Sequence, residues 1–390
     1  MPWKETDPMN QKALFIADYL AESCSITELC ESYGISRKTA YKWIDRFLRY
    51  GPQGLDNRSQ APRSSPHRTP AHIEQAIVKC RRQHPSWGAK KLLKRLNKQY
   101  PSATLPARST VCDILTRNRL ISAKRHRRTP AHPGKPIVSM DAPNQTWCAD
   151  YKGQFKLGNG QYCYPLTITD AYSRFLLSCK ALDSTLLEPA MAVFTAVFRQ
   201  YGLPSVILTD NGSPFAANSL GRLTRLSAWW IQLGITPALI EPGKPQQNGR
   251  HERMHRTLKY ETTLPPALTL RGQQRKFNAF INEYNFERPH EALDQETPAN
   301  FYQHSEREYP AKILPYLYPD RFETRLVSEN GGIRWRSNWI NVSSVLANKI
   351  VGLEEFDYGK WNLYYCHVKI GILDERLMRI LDHYRRTKRK

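Results

Sequence analysis

The chain has 390 residues, and its 58 lysines and arginines outnumber its 35 aspartates and glutamates, which gives a formal net charge of +23. Such an excess attracts polyanions through counterion release, so nucleic acid is the expected partner. A hydrophobic content of 40% excludes disorder throughout, the eight scattered cysteines exclude a disulfide scaffold, and the lack of a long apolar run or a signal peptide predicts a soluble, cytoplasmic protein without a membrane partner.

Residues 1–50 are predicted to form a helix-turn-helix domain that binds DNA. Ser25 and Glu28 fit a capping box, and Ser36 is expected to cap the second, recognition helix. In this motif the recognition helix enters the major groove. The side chains expected to face DNA are Arg37, Lys38, Thr39, Tyr41 and Lys42. A plain helical hairpin with a solvated basic face is the alternative.

A linker is predicted over residues 51–70, followed by a second helical DNA-binding domain over 71–128 and another linker over 129–143. Residues 1–136 contain 26 Lys and Arg against 10 Asp and Glu, a net charge of +16. The positive field is therefore concentrated in the N-terminal third. The second domain ends in a basic run that is a candidate DNA contact, formed by Lys124, Arg125, Arg127 and Arg128.

Residues 144–302 are predicted to form a mixed α/β domain, because runs rich in β-branched and aromatic residues alternate with helical patterns. The expected strands are 145–152, 162–169, 174–181, 205–209 and 237–240, and the expected helices are 186–199, 219–233, 249–258 and 273–285. Residues 303–390 are predicted to form a small C-terminal β-barrel with a basic tail from Arg385 to Lys390. The fold class is thus multidomain α+β.

Three acidic residues are candidates for metal-assisted chemistry on phosphodiesters: Asp150, Asp210 and Glu252. Asp150 lies in the first strand and Asp210 at the end of a later one, so pairing of these strands would place both carboxylates side by side. Like charges this close repel unless a cation lies between them. Hard oxygen ligands favour Mg²⁺ or Mn²⁺, and two such ions suit an in-line displacement at phosphorus.

Five segments, TWCADY, LTITDAYSRF, VILTDNGSPF, KPQQNGRHERMHRTLK and FINEYNFERPHEAL, strongly resemble the integrase-like catalytic core of bacterial insertion-sequence transposases, which are related to retroviral integrases. The resemblance covers nearly the whole chain, since those proteins have helix-turn-helix units before the core and often a small β domain after it. It implies a ribonuclease H-like core over residues 144–302. It also places Asp150, Asp210 and Glu252 on the family's catalytic and metal-binding carboxylates, with two Mg²⁺ ions as cofactors.

The resemblance further implies a DDE transposase that binds the terminal inverted repeats of its mobile element and joins their ends to target DNA. A homo-oligomer on DNA in the bacterial nucleoid is expected. Gln246 and Asn248 match the family's active-site loop, and basic residues near Glu252 are expected to contact phosphates, namely Arg253, Arg256 and Lys259. Asp170 matches an acidic position that the family uses structurally.

Three alternatives stay open. Between Asp210 and Glu252 lie 41 residues, more than in the commonest pattern of the superfamily, and if Glu252 were out of register Glu241 would be its nearest rival. His251 to His255 spells HExxH, which would suit a zinc protease. A DNA-binding regulator that has kept the scaffold but no longer cuts DNA is the third alternative.

Overall fold

A computed structural model of the protein describes residues 8–57, 68–121 and 138–382. The chain divides into two compact units, Met1–Arg68 and Thr69–Lys390. Two groups of predicted basic residues lie outside the described ranges: the run Lys124, Arg125, Arg127 and Arg128, and the tail from Arg385 to Lys390.

The first unit contains three helices, α1 (Pro8–Leu20), α2 (Ile26–Ser32) and α3 (Arg37–Tyr50). The predicted capping box is confirmed, since the Ser25 hydroxyl accepts the Glu28 N–H and the Glu28 carboxylate accepts the Ser25 N–H at 2.8 Å. Ser36 caps α3. Ala40 and Ile44 of α3 are buried against α1 and α2, so the predicted helix-turn-helix is confirmed.

The first residues of the predicted linker are ordered into a 3₁₀ turn, Gly51–Leu55. Leu55 is buried in the core of the first unit, and the Lys12 ammonium donates to its carbonyl at 3.2 Å. The Pro-, Ser- and Arg-rich composition of residues 51–70 indicated a linker, but burial of the Leu55 side chain folds its first residues onto the helices.

The second unit begins with the predicted helical segment, which consists of α4 (Ala71–Gln83), α5 (Ala89–Gln99) and α6 (Arg108–Arg117). These helices surround a core in which Ile77, Trp87, Leu92 and Ile114 are fully buried.

A six-stranded sheet follows, formed by β1 (Thr146–Tyr151), β2 (Phe155–Lys156), β3 (Tyr162–Asp170), β4 (Leu176–Leu182), β5 (Val206–Thr209) and β6 (Thr236–Leu239). β1 pairs with β3 and β3 with β4, both antiparallel, and the short β2 pairs with the start of β3. On the other side of β1, β5 and β6 continue the sheet in parallel.

Helices cover both faces of this sheet. On one face, α7 (Leu187–Tyr201) and α8 (Arg225–Gln232) pack on Trp147 and Ile168. On the other face, α9 (Gly249–Thr262) and α10 (Leu270–Asn282) pack on Cys163 and Leu176. The helix expected over 219–233 is shorter, because Gly221 at φ 63° breaks it and Thr224 caps a new start. The mixed α/β core is thus confirmed.

Seven strands form the C-terminal region: β7 (Glu323–Leu326), β8 (Gly332–Trp335), β9 (Asn338–Asn341), β10 (Ile350–Asp357), β11 (Lys360–Tyr365), β12 (Val368–Asp374) and β13 (Arg379–Asp382). Five make an antiparallel sheet in the order β13-β12-β11-β10-β7, and β8 pairs with β9. Both sheets share a core with Ile231 of α8. No pairing among the described strands closes the sheet, so the predicted barrel is not confirmed.

Candidate active site

Asp150 and Asp210 lie at the same end of two neighbouring strands. β1 and β5 pair in parallel with Ala149 opposite Thr209, so the next residue of each strand is one of the two aspartates. Burial, together with the charges of Asp210 and Glu252, raises the pKa of Asp150 to about 7. The strand pairing predicted from sequence therefore brings these two carboxylates together.

Glu252 lies in the first turn of α9 and is exposed, while the opposite face of the helix is buried through Met254 and Leu258. Its charge reaches Asp150, as the raised pKa of that residue shows. Within the described ranges, however, no three His, Cys, Asp or Glu side chains are grouped closely enough to hold a metal ion. The structure thus joins the two aspartates and leaves Glu252 at the margin of the site.

The two histidines of HExxH point into the sheet, away from Glu252. The Nε2 atoms of His251 and His255 both lie 2.7 Å from the Thr167 hydroxyl, and Nδ1 of His251 lies 2.7 Å from the Thr169 hydroxyl. Burial lowers the pKa of His251 to about 3 and that of His255 to about 2. The Nε2 atoms of both imidazoles and Nδ1 of His251 are engaged with threonine hydroxyls, which is not the arrangement of a zinc site.

The loop before α9 contains the other predicted site residues. Gln246 is exposed, whereas Asn248 is 4% exposed and its Oδ1 atom has no hydrogen-bond partner. The rival Glu241 accepts from Gln247 at 3.0 Å and forms an ion pair with Lys244, and these hydrogen bonds lower its pKa. Glu241 therefore has its own partners, while Glu252 is among the charges that act on Asp150.

Asp170 is fully buried and has a structural environment. Its carboxylate accepts the backbone N–H groups of Asn144 and Ser173, both at 2.8 Å, and the Ser173 hydroxyl at 2.6 Å. Asn211, directly after Asp210, donates to the Ile240 carbonyl at 2.8 Å. These bonds fix the turns that flank the site and agree with the structural role implied for Asp170.

The predicted DNA-contact residues of α9 and α3 are exposed on their helices. Arg253, Arg256 and Lys259 are all exposed, and the spacing of Glu252, Arg256 and Lys259 places these three on one face of α9. On α3, four of the predicted residues are exposed and Thr39 is partly buried: Arg37, Lys38, Tyr41 and Lys42. The Arg37 guanidinium also donates to the Thr27 hydroxyl at 2.8 Å.

One functional contact was missed by the sequence reasoning, namely the docking of α5 on the core. Ion pairs join Lys90 to Glu291, Lys94 and Lys98 to Glu296, and Arg95 to Glu287. A sequence signal exists, because glutamates recur at positions 283, 287, 291 and 296 opposite a helix with basic residues at similar spacing.

Among the helices in the described ranges, none is both long and apolar enough to cross a membrane.

Comparison with known proteins agrees with this architecture. The integrase core domain family matches residues 140–245 and 233–298, a helix-turn-helix domain family matches 11–63, and a homeodomain-like domain family matches 39–115. A protein of insertion element IS136 from Agrobacterium fabrum is 30% identical over 187 residues, which are 45% of this chain and 90% of that protein.

A protein of insertion element IS476 from Xanthomonas euvesicatoria is 28% identical over 251 residues, covering 61% of this chain and 67% of the relative. Among solved structures, the HTLV-2 integrase catalytic core domain in complex with magnesium covers 43% of this chain and 100% of its own, at 16% identity and a TM-score of 0.34. Given the extent of the IS136 match, the chain belongs to the integrase-core family of insertion-element proteins, the family of DDE transposases.

Proposed function

We propose that this protein is the transposase of its insertion element, a polynucleotidyl transferase that binds the terminal inverted repeats and catalyses 3′-end cleavage and strand transfer into target DNA. The observation that supports this most directly is the parallel pairing of β1 with β5, which sets Asp150 beside Asp210. An aspartate whose pKa is raised by burial and by the charge of a neighbouring aspartate, as that of Asp150 is, is typical of phosphoryl-transfer sites.

The donor set fits a hard divalent cation. Asp150 and Asp210 offer carboxylate oxygens at neighbouring strand ends, and the imidazoles nearest to Asp150 are held by threonines. We propose that Asp150, Asp210 and Glu252 bind two Mg²⁺ ions, with Mn²⁺ as a substitute. Bound there, the ions would supply charge stabilisation for an in-line displacement at phosphorus.

The residues around the site then position DNA. Arg253, Arg256 and Lys259 project from α9 beside Glu252, where they would hold backbone phosphates near the scissile bond. Water attacks the phosphodiester at each element end and frees a 3′-hydroxyl, which then attacks a target phosphodiester. Because two ends react together, we propose a homo-oligomer on DNA.

We further propose that residues 1–55 and 71–128 recognise the element ends, with the rest of the predicted linker up to residue 70 and residues 129–143 as linkers, and that 303–390 form a β-rich domain after the core at 144–302. In α3, Lys38 and Tyr41 are exposed and Lys42 lies over Trp43. This leaves polar and basic side chains available to base edges and phosphates.

The test is a Mg²⁺-dependent joining assay with oligonucleotides copied from both element ends. Asp150→Asn, Asp210→Asn and Glu252→Gln should each abolish joining while end binding persists. Glu241→Gln is the matched control in the same loop and should join ends like the wild type. If joining requires Glu241 and tolerates Glu252→Gln, the third carboxylate is wrongly assigned. Specific end binding without any joining by the wild type would favour the regulator instead.

A further inference from the structure

Thr167 is the point at which α9 meets the strand of Asp150. It lies on β3 directly opposite Asp150 of β1, it is fully buried, and its hydroxyl donates to the Asp150 backbone carbonyl at 2.9 Å. The same oxygen lies 2.7 Å from Nε2 of His251 and 2.7 Å from Nε2 of His255, one helical turn apart on α9. One hydroxyl therefore contacts two of the three elements that present the proposed carboxylates, β1 and α9.

The hydrogen bonds can be assigned from donor and acceptor counts. A threonine hydroxyl has one hydrogen and two lone pairs, and the hydrogen is already donated to Asp150. Both imidazoles must therefore donate from Nε2, and the Thr169 hydroxyl then donates to Nδ1 of His251 at 2.7 Å.

The same assignment leaves the Asp150 carboxylate unblocked. Nδ1 of His255 lies 3.8 Å from Asp150 Oδ2 and carries no hydrogen, since the proton of that ring is on Nε2. His255 therefore lies beside the carboxylate without donating to it.

We propose that Thr167, His251 and His255 are positioning residues, which fix the register of α9 against β1 and thereby set the affinity of the proposed carboxylate site for a divalent cation. The inference rests on the proposed function, because it concerns the same carboxylates. Packing alone is already provided on this face of α9 by Met254 and Leu258. The polar network adds a bond to the backbone of Asp150 itself, and indirect partners of this kind typically change metal affinity by about 10- to 100-fold.

The experiment measures Mn²⁺ binding to the full-length protein by electron paramagnetic resonance, together with the melting temperature. Thr167→Val removes the hydroxyl and leaves two buried N–H groups without an acceptor, whereas Thr167→Ser keeps it. Thr262→Val is the matched control, since Thr262 is also buried in α9 but donates only to the Leu258 carbonyl, at 2.7 Å. Asp150→Asn tests the site itself.

We expect Thr167→Val to weaken Mn²⁺ binding by about tenfold or more, with Thr167→Ser and Thr262→Val close to the wild type. Thr169→Val removes one outer bond of the network, should give a smaller loss, and replaces Thr167→Val if that variant does not fold. Equal affinities for the Thr167→Val and Thr262→Val proteins, or equal losses for Val and Ser at position 167, would overturn the positioning role while the Asp150→Asn loss upheld the site. Undiminished binding by Asp150→Asn would remove the proposed metal site and this inference with it.

Discussion

A buried ion pair within the core also bonds Ser86 of the second helical segment, and its loss should cost far more than the loss of the exposed pairs around it. Arg288 bonds Glu261 of α9 at 2.5 Å, with side chains 7% and 18% exposed. The Arg288 guanidinium also donates to the hydroxyl of Ser86, between α4 and α5, at 3.2 Å, and that hydroxyl donates to Glu261. Glu261→Gln would leave a guanidinium buried without a counter-charge, at a cost of about 3–5 kcal/mol.

The comparison variant is Glu291→Gln, which removes the Lys90–Glu291 pair of the same interface. These side chains are 47% and 71% exposed, so their pair should contribute about 1 kcal/mol or less. Native-state hydrogen exchange gives the free energy of opening for α5 and α9 in the full chain. The double variant Glu261→Met, Arg288→Met should recover most of the loss, because it removes both charges. Equal losses for the two single variants would refute the reasoning from burial.

Two further predictions concern acid stability and DNA binding. The lowered pKa values of His251 and His255 mean that stability is present above the ordinary histidine pKa of about 6.5 and lost below it, by about 1.4 kcal/mol per pH unit for each imidazole. The raised pKa of Asp150 has the opposite effect, since it adds stability as the pH falls. Urea midpoints measured from neutral to mildly acidic pH should therefore fall more steeply in Asp150→Asn than in the wild type. A flat profile in that variant would contradict the lowered pKa values of the two histidines. Arg37→Ala and Lys38→Ala should each weaken end binding and, where one phosphate contact is lost, reduce the salt slope by about 1; unchanged binding in a salt titration would remove α3 as the reader of the ends.

Local sequence signals predicted local structure well. Ser25, Glu28 and Ser36 predicted helix starts because a cap needs only residues within one turn of the chain. The pairing of β1 with β5 was also predictable. Two acidic residues at the ends of apolar strands can hold a cation between them only if those strands are neighbours. The resemblance in the core motifs then specified which acids to choose.

Other features had no local signal. Residues 333–342 form a hairpin that turns at Arg336 and Ser337, both at positive φ, instead of at the Asn-Gly or Gly usual in such turns. The role of HExxH depended on Thr167 and Thr169, more than 80 residues earlier in the chain. A five-residue pattern describes which residues share a helix face, and only the fold decides what that face meets.

Predicting DNA contacts from charge has the same limit, because a count of basic residues treats each one as free to bind DNA. In the part of the chain that the structure describes, Lys94, Lys98 and Arg95 of α5 already face glutamates of the core. A phosphate reaching α5 would exchange one ion pair for another, and the displaced glutamate would then repel it. Arg256 and Lys259 of α9 have no acidic partner within the described ranges, so a phosphate bound there is a net gain in pairing. Under the proposed function, we therefore expect the face of α9 beside Glu252 to contribute more to DNA binding than its two cations suggest, and the N-terminal third to contribute less than its basic excess suggests.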